Sequence, residues 1–207
     1  MNVLLKQLTQ NVPWTGDIRT DMLTLLQHRS RPDLVEHGLQ VGAQALILAE
    51  RFNVVPARAE LGGWLHDIGR IVPLAFYPAA AQMLDVEVLP EEEHDTRLLH
   101  QKFSVVIARD VFHVIDEGIL SAIGCHTTMK PGMLPLDKVV FLADKLTWDG
   151  PTPPPYVEQI HIALEQTCSL DAALQIYGQS LWAWGQQNPW FVPHPWFVDA
   201  LQTMKQT

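Results

Sequence analysis

The stretch Glu36–Arg70, EHGLQVGAQALILAERFNVVPARAELGGWLHDIGR, decides the architecture of this 207-residue chain. Extended back to Pro32, its first half sets Leu34, Val35, Leu39, Val41, Ala45, Leu46, Ile47 and Ala49 at steps of three and four. That is the spacing of one helix face, and Asp33 lies near its start. The pattern predicts a helix over 32–52. The second half opens on Pro56, which suits a first helical turn because its missing N–H would be unpaired there anyway. It closes just before Gly69, so a second helix is expected over 56–67.

The same periodicity recurs over 98–112, 117–125, 136–146, 155–166 and 170–186. No run alternates with period two for long enough to make a strand. The expected fold class is all-α, a helical bundle in one domain. Between the helices, 70–93 is rich in Pro, Ala and acid and reads as a loop with short helical turns. Pro131, Gly132 and Pro135 make 127–135 a turn. Four prolines between Gly150 and Pro155 exclude helix there. Residues 1–31 read as an N-terminal helical extension, 32–186 as the main domain, and 187–207 as an aromatic, Pro-rich tail packed on it.

Composition narrows the function. The net charge is −9, which argues against a nucleic-acid backbone binder, since that needs a basic face. It leaves room for a small anion held by a metal and a few local cations. The 47% hydrophobic content supports a packed core. The longest apolar stretch, from Ile71, contains two prolines and falls short of the roughly 18 residues a membrane span needs. No charged start followed by a long apolar segment marks a secretory signal. Two cysteines, Cys125 and Cys168, cannot make a disulfide framework. A soluble, cytoplasmic protein is expected, without nucleic-acid or membrane partners.

Polar residues where the pattern asks for apolar ones carry the chemistry. Asp144 ends the run VVFLAD. A carboxylate buried there without a metal, a cation or solvent would cost several kcal/mol. His66 and Asp67 close ELGGWLHD, His37 interrupts the face of the first long helix, His100 follows Leu98 and Leu99, and His126 follows GILSAIGC. One His on an apolar face is usually a hydrogen-bonded core residue. A His-Asp pair alone means little either, since about half an occurrence is expected by chance in a chain of this composition. A second pair, His94-Asp95, sits beside Glu91, Glu92 and Glu93 and is assigned no role. Together, however, the residues supply mixed nitrogen and oxygen ligands, which suit iron, manganese, cobalt or zinc better than magnesium. One metal takes His37, His66, Asp67 and Asp144. His100 and His126 either hold a second metal bridged by Asp67 or contact phosphate oxygens.

The 36–70 stretch strongly resembles the opening of the HD-domain metal phosphohydrolase superfamily. LLHQKFSVVIARDVF, IGCHTTMKPGM and LDKVVFLADKL narrow the resemblance to the bacterial YqeK type, the symmetrical diadenosine-tetraphosphate hydrolases. The resemblance implies an iron enzyme that yields two ADP, and a homodimer. It implies His37, His66, Asp67 and Asp144 as metal ligands, and His100, His126 and Thr127 as contacts to the nucleotide's phosphates. Arg70 stands where the family places a phosphate-contacting basic residue. The chain departs from the family after Asp144, where KLTWDGPTPPP puts Gly150 at the position of an expected Arg; Lys145 is the candidate to compensate.

The catalytic set is then Asp67, His100 and His126, with Asp67 also accepting the proton of the attacking water. The substrate-contacting set is His37, Arg70, His100, His126, Thr127, Lys130, Asp144 and Lys145. For the tail, the reading is packing over the bundle end, with Trp190 or Phe191 stacking on adenine beside Gln187 and Asn188 as the functional alternative. Cys125 reads as a small buried hydrophobe and Lys138 as a solvated surface lysine. The alternatives for activity are an HD phosphohydrolase of another nucleotide (a monophosphate or a cyclic dinucleotide), a di-iron oxygenase, and a dinucleotide-binding module without catalysis.

Overall fold

A computed structural model describes residues 2–148 and 150–204. Met1, Asp149 and 205–207, which include the outer ends of the expected extension and tail, lie outside the described residues. The described chain is helical, with no strand. Its helices are α1 Val3–Thr9, α2 Ile18–His28, α3 Pro32–Arg51, α4 Pro56–Leu65, α5 Tyr77–Met83 and α6 Pro90–His94. They continue as α7 Leu99–Asp110, α8 Glu117–Cys125, α9 Pro135–Leu146, α10 Pro155–Thr167, α11 Leu170–Gln186 and α12 Pro195–Met204. Prolines open α3, α4, α6, α9, α10 and α12, in the first turn where a missing N–H does no harm. No helix among the described residues is long and apolar enough to cross a membrane.

α3 is the spine. It packs along α4 and across α9, while α8 lies between α7 and α9, and α10 and α11 form a hairpin against α9. Val41, Ala45, Leu65, Phe103, Ile107, Ile123, Val140 and Phe141 are all essentially buried in one core. Leu5, Met22 and Leu25 from α1 and α2 join that core, so the N-terminal helices are part of the packed body. The α3–α4 contact is backbone to backbone. A Cβ on Gly63 would lie 2.7 Å from Gly42 Cα, so only glycines let the two helices approach this closely.

Several helix ends differ from the sequence expectation by one or two residues, α7 running from Leu99 only to Asp110, and the difference at α4 bears on the site. α4 stops at Leu65, and Asp67 precedes a tight 3₁₀ turn over Ile68–Ile71 instead of ending the helix. The cause is Gly69, whose N–H donates to Ser104 Oγ at 2.9 Å. A Cβ on Gly69 would strike the His100 carbonyl oxygen and lie 2.7 Å from Ser104 N. The turn is thus pressed onto the backbone of α7. In the C-terminal segment, α12 forms beyond Pro195 and buries Phe197 and Ala200.

Candidate active site

Five elements converge on one spot. His37 comes from the first turns of α3, His66 caps the end of α4, Asp67 follows it, His100 lies in the first turn of α7, and His126 caps the end of α8. Asp144 is supplied by the last turn of α9, directly after five buried residues from Val139 to Ala143. His66 Nε2 lies 3.2 Å from His37 Nε2, and His100 Nε2 lies 2.9 Å from His126 Nε2. Asp67 stands between the two pairs. Its Oδ1 is 3.1 Å from His100 Nε2 and 3.5 Å from His126 Nε2. Its Oδ2 is 3.9 Å from His37 Nε2 and 3.8 Å from His66 Nε2. Asp144 Oδ1 closes the first group, 3.2 Å from His37 Nε2 and 3.5 Å from His66 Nε2.

The tautomers follow from the backbone. The Nδ1 atoms of His66, His100 and His126 lie 2.7, 2.5 and 2.8 Å from the carbonyl oxygens of Gly63, Arg97 and Ile123, each three residues earlier. A carbonyl only accepts, so each Nδ1 carries a proton, and in its neutral form each ring turns a bare Nε2 lone pair inward. Burial pushes the His126 imidazole down to about 4, which keeps it neutral at pH 7. Burial pushes the Asp67 carboxyl up, and whichever of His66, His100 and His126 carries a proton on Nε2 pulls it well below the usual carboxylate range. Nitrogen lone pairs and anionic oxygens facing one another with few protons between them repel, unless a cation sits among them. The donor set therefore fits a metal: His37, His66 and Asp67 form one group that could hold an ion, and Asp67, His100 and His126 a second.

His126 also sets an acid limit. Below about 6.5 the unfolded chain binds a proton on this residue that the folded chain refuses until about 4. Stability of metal-free protein is therefore expected to be full above that window and to fall with pH inside it. A lower melting temperature at about pH 5 than at about pH 7.5, with chelator present, is the expected observation. An unchanged one would mean that His126 titrates normally.

Above the ligands opens a cavity of about 930 Å³, at the upper end of the range for small-molecule sites. Arg70 Nη1 pairs with Asp67 Oδ2 at 2.6 Å on its edge. Thr127 Oγ1 lies 3.1 Å from His100 Nε2. Lys145 Nζ pairs with Asp144 Oδ2 at 2.5 Å, over the ring faces of Phe141 and Tyr177. Burial alone would lower this lysine's pKa, but the Asp144 carboxylate outweighs burial and keeps it charged.

Arg31 and Arg97 also line the cavity, and sequence reasoning missed both. Each lies beside an aspartate two residues away, Arg31 with Asp33 and Arg97 with Asp95, and so reads as a local surface pair. Lys130 is not brought to the site. Its ammonium pairs with Asp137 at 3.1 Å and bonds Ser121, because the chain reverses through Met129 and Gly132, both at positive φ. Trp190 and Phe191 do not line the cavity either. Phe191 packs edge-on against Trp184 and Phe197, and Trp190 is 82% exposed. The aromatic residue that does line it near Gly150 is Trp148. Cys125 is fully buried, and Lys138 pairs with Asp171 away from the site.

An all-α body with paired histidines around one shared aspartate defines a class. The HD domain family model matches residues 34–149, and the chain belongs to this family of hydrolases. An uncharacterized protein in the pepC 5' region of Lactococcus lactis subsp. cremoris is 37% identical over 72% of this chain and 73% of that one. The symmetrical bis(5'-nucleosyl)-tetraphosphatase of Bacillus subtilis (strain 168) is 33% identical over 52% of this chain, and the match spans 58% of that protein's length. The crystal structure of a predicted HD superfamily hydrolase involved in NAD metabolism from Clostridium acetobutylicum has the same fold. It superposes with a TM-score of 0.81 at 24% identity, over 93% of this chain and 98% of that one.

Proposed function

We propose that this protein hydrolyses a dinucleoside tetraphosphate symmetrically, releasing two nucleoside diphosphates, with iron as its resident metal. The observation that carries the reading is Asp67, one oxygen toward each histidine pair, at the floor of a cavity edged by Arg31, Arg70, Arg97 and Lys145. His37, His66, Asp67 and Asp144 would hold the metal, and His100 with His126 a second ion or a phosphate oxygen. When bound, the metal supplies Lewis acidity, polarising a phosphoryl oxygen and acidifying water.

The chain's own residues do the rest. Arg70 and the two other rim arginines neutralise the phosphate chain, whose position sets the cut at the second phosphorus from one adenosine. His100 and His126 would act on the developing charge through a second ion that they and Asp67 would hold. Thr127 fixes the His100 ring. ADP leaves as a phosphate anion and needs little protonation. Asp67, with its depressed pKa, serves mainly as a ligand and accepts a proton only from a water already acidified.

Purified protein loaded with iron under reducing conditions and given diadenosine tetraphosphate is expected to yield ADP alone on chromatography. ATP with AMP would place the cut at the wrong phosphorus. No cleavage with metal bound would remove the substrate assignment. The same reading carries a homodimer, checked by light scattering, and a cytoplasmic setting, in keeping with two cysteines that are both free.

A further inference from the structure

The cavity is lined by two unlike groups of residues. One is the polar group of imidazoles, aspartates and arginines. The other begins where α9 ends at Leu146 and the chain turns through Thr147, Trp148 and Gly150 before α10 starts at Pro155. Tyr156 and Tyr177 belong to this second group, edge to face with ring centroids 5.2 Å apart. Trp148 differs from both tyrosines. It lines the cavity yet keeps 46% of its surface exposed, so burial in the core does not explain it.

Gly150 accounts for where the indole lies. A Cβ built on Gly150 would fall 2.6 Å from Trp148 Nε1, 2.7 Å from Cε2 and 2.8 Å from Cζ2. The ring therefore occupies the volume that any side chain at 150 would need. Prolines 151, 153, 154 and 155 follow at once. They restrict the backbone on the far side of Gly150 and so reduce the ordering that binding would otherwise require.

We propose that Trp148 is the platform on which a purine base stacks, and that Gly150 is the seat that lets the indole lie there. A nucleotide is anionic at one end and a flat π system at the other, and the cavity lining offers both the cations Arg31, Arg70 and Arg97 and the exposed aromatic face of Trp148. The proposal rests on the nucleotide reading of this cavity and deepens it. Trp148 is thus a specificity-determining residue, one that favours nucleotides over phosphate chains without a base.

The test is calorimetric titration of manganese-loaded full-length protein with ADP and, separately, with inorganic pyrophosphate. Wild type is expected to bind ADP more tightly than pyrophosphate. In Trp148→Ala the ADP affinity should fall about tenfold or more while pyrophosphate stays within about twofold, the pattern of a lost stacking partner. Trp148→Phe should retain most of the ADP affinity. Gly150→Ala should reproduce Trp148→Ala by displacing the ring, and matching melting curves will establish that all variants are folded. Unchanged ADP affinity in Trp148→Ala, or an equal loss for both ligands, overturns the platform and leaves the phosphate reading standing. A wild type that binds neither ligand removes the nucleotide reading itself, and the platform with it.

Discussion

Asp67→Ala is expected to abolish metal binding and turnover together, with kcat/KM down about a thousandfold or more, while the protein stays folded and helical. Both effects have one cause, since Asp67 is the carboxylate that faces both histidine pairs. Its loss leaves each candidate ion site without a shared oxygen. The fold should survive because the Asp67 side chain caps no helix, although its backbone begins the 3₁₀ turn. Metal content after dialysis, steady-state kinetics and far-ultraviolet circular dichroism check the three parts. Turnover within about tenfold of wild type would falsify the metal-centred reading of the site.

Gly69→Ala is expected to give the largest loss of stability from one added methyl group, about 3 kcal/mol, or roughly 10 °C in melting temperature for a chain of this size. Its new Cβ would meet backbone on two sides, the His100 carbonyl and Ser104 N, and Phe103 Cβ at 2.9 Å. Backbone cannot rotate away as a side chain can, so the 3₁₀ turn must lift from α7. Because the turn carries Asp67 and α7 carries His100, the same shift separates the two ligands. Metal affinity should fall along with melting temperature. A surface alanine such as Gly132→Ala offers a contrast: nothing lies within 4 Å of that position, and only its positive φ opposes the change. Thermal melts of Gly69→Ala that overlay wild type would mean that the turn moves freely.

The helices and most candidate ligands were legible in the sequence for a definite reason. A helix that must bury one face shows its period, and a polar residue on that face stands out, as Asp144 does after Val139–Ala143 and His66 does after Leu65. The helix over 170–186 and the one over 117–125 agree with α11 and α8 residue for residue. What the pattern cannot carry is direction through irregular chain. Lys130 is only four residues past His126, yet two positive-φ residues turn it toward Asp137. Arg31, Arg97 and Trp148 sit at helix ends or in turns, where no periodicity constrains them. Their membership of the cavity depends on where whole helices lie. Gly69 read as a helix stop, and its closer task, the approach to α7, depends on a partner 35 positions away in sequence.

The candidate ligands are distant in sequence, and each helix that supplies them is anchored by its own apolar contacts: Val41 on α3, Leu65 on α4, Phe103 on α7, Ile123 on α8 and Phe141 on α9. Closing loops of that length is entropically unfavourable, and the apolar contacts of the core offset it without calling on the imidazoles. Metal-stripped protein is therefore expected to keep its helical circular dichroism, unlike the small domains that stay unfolded until metal directs them. The metal found in protein from any given preparation will reflect ligand preference and supply in the growth medium, and stripping followed by reconstitution gives a direct way to rank candidate ions on one unchanged fold.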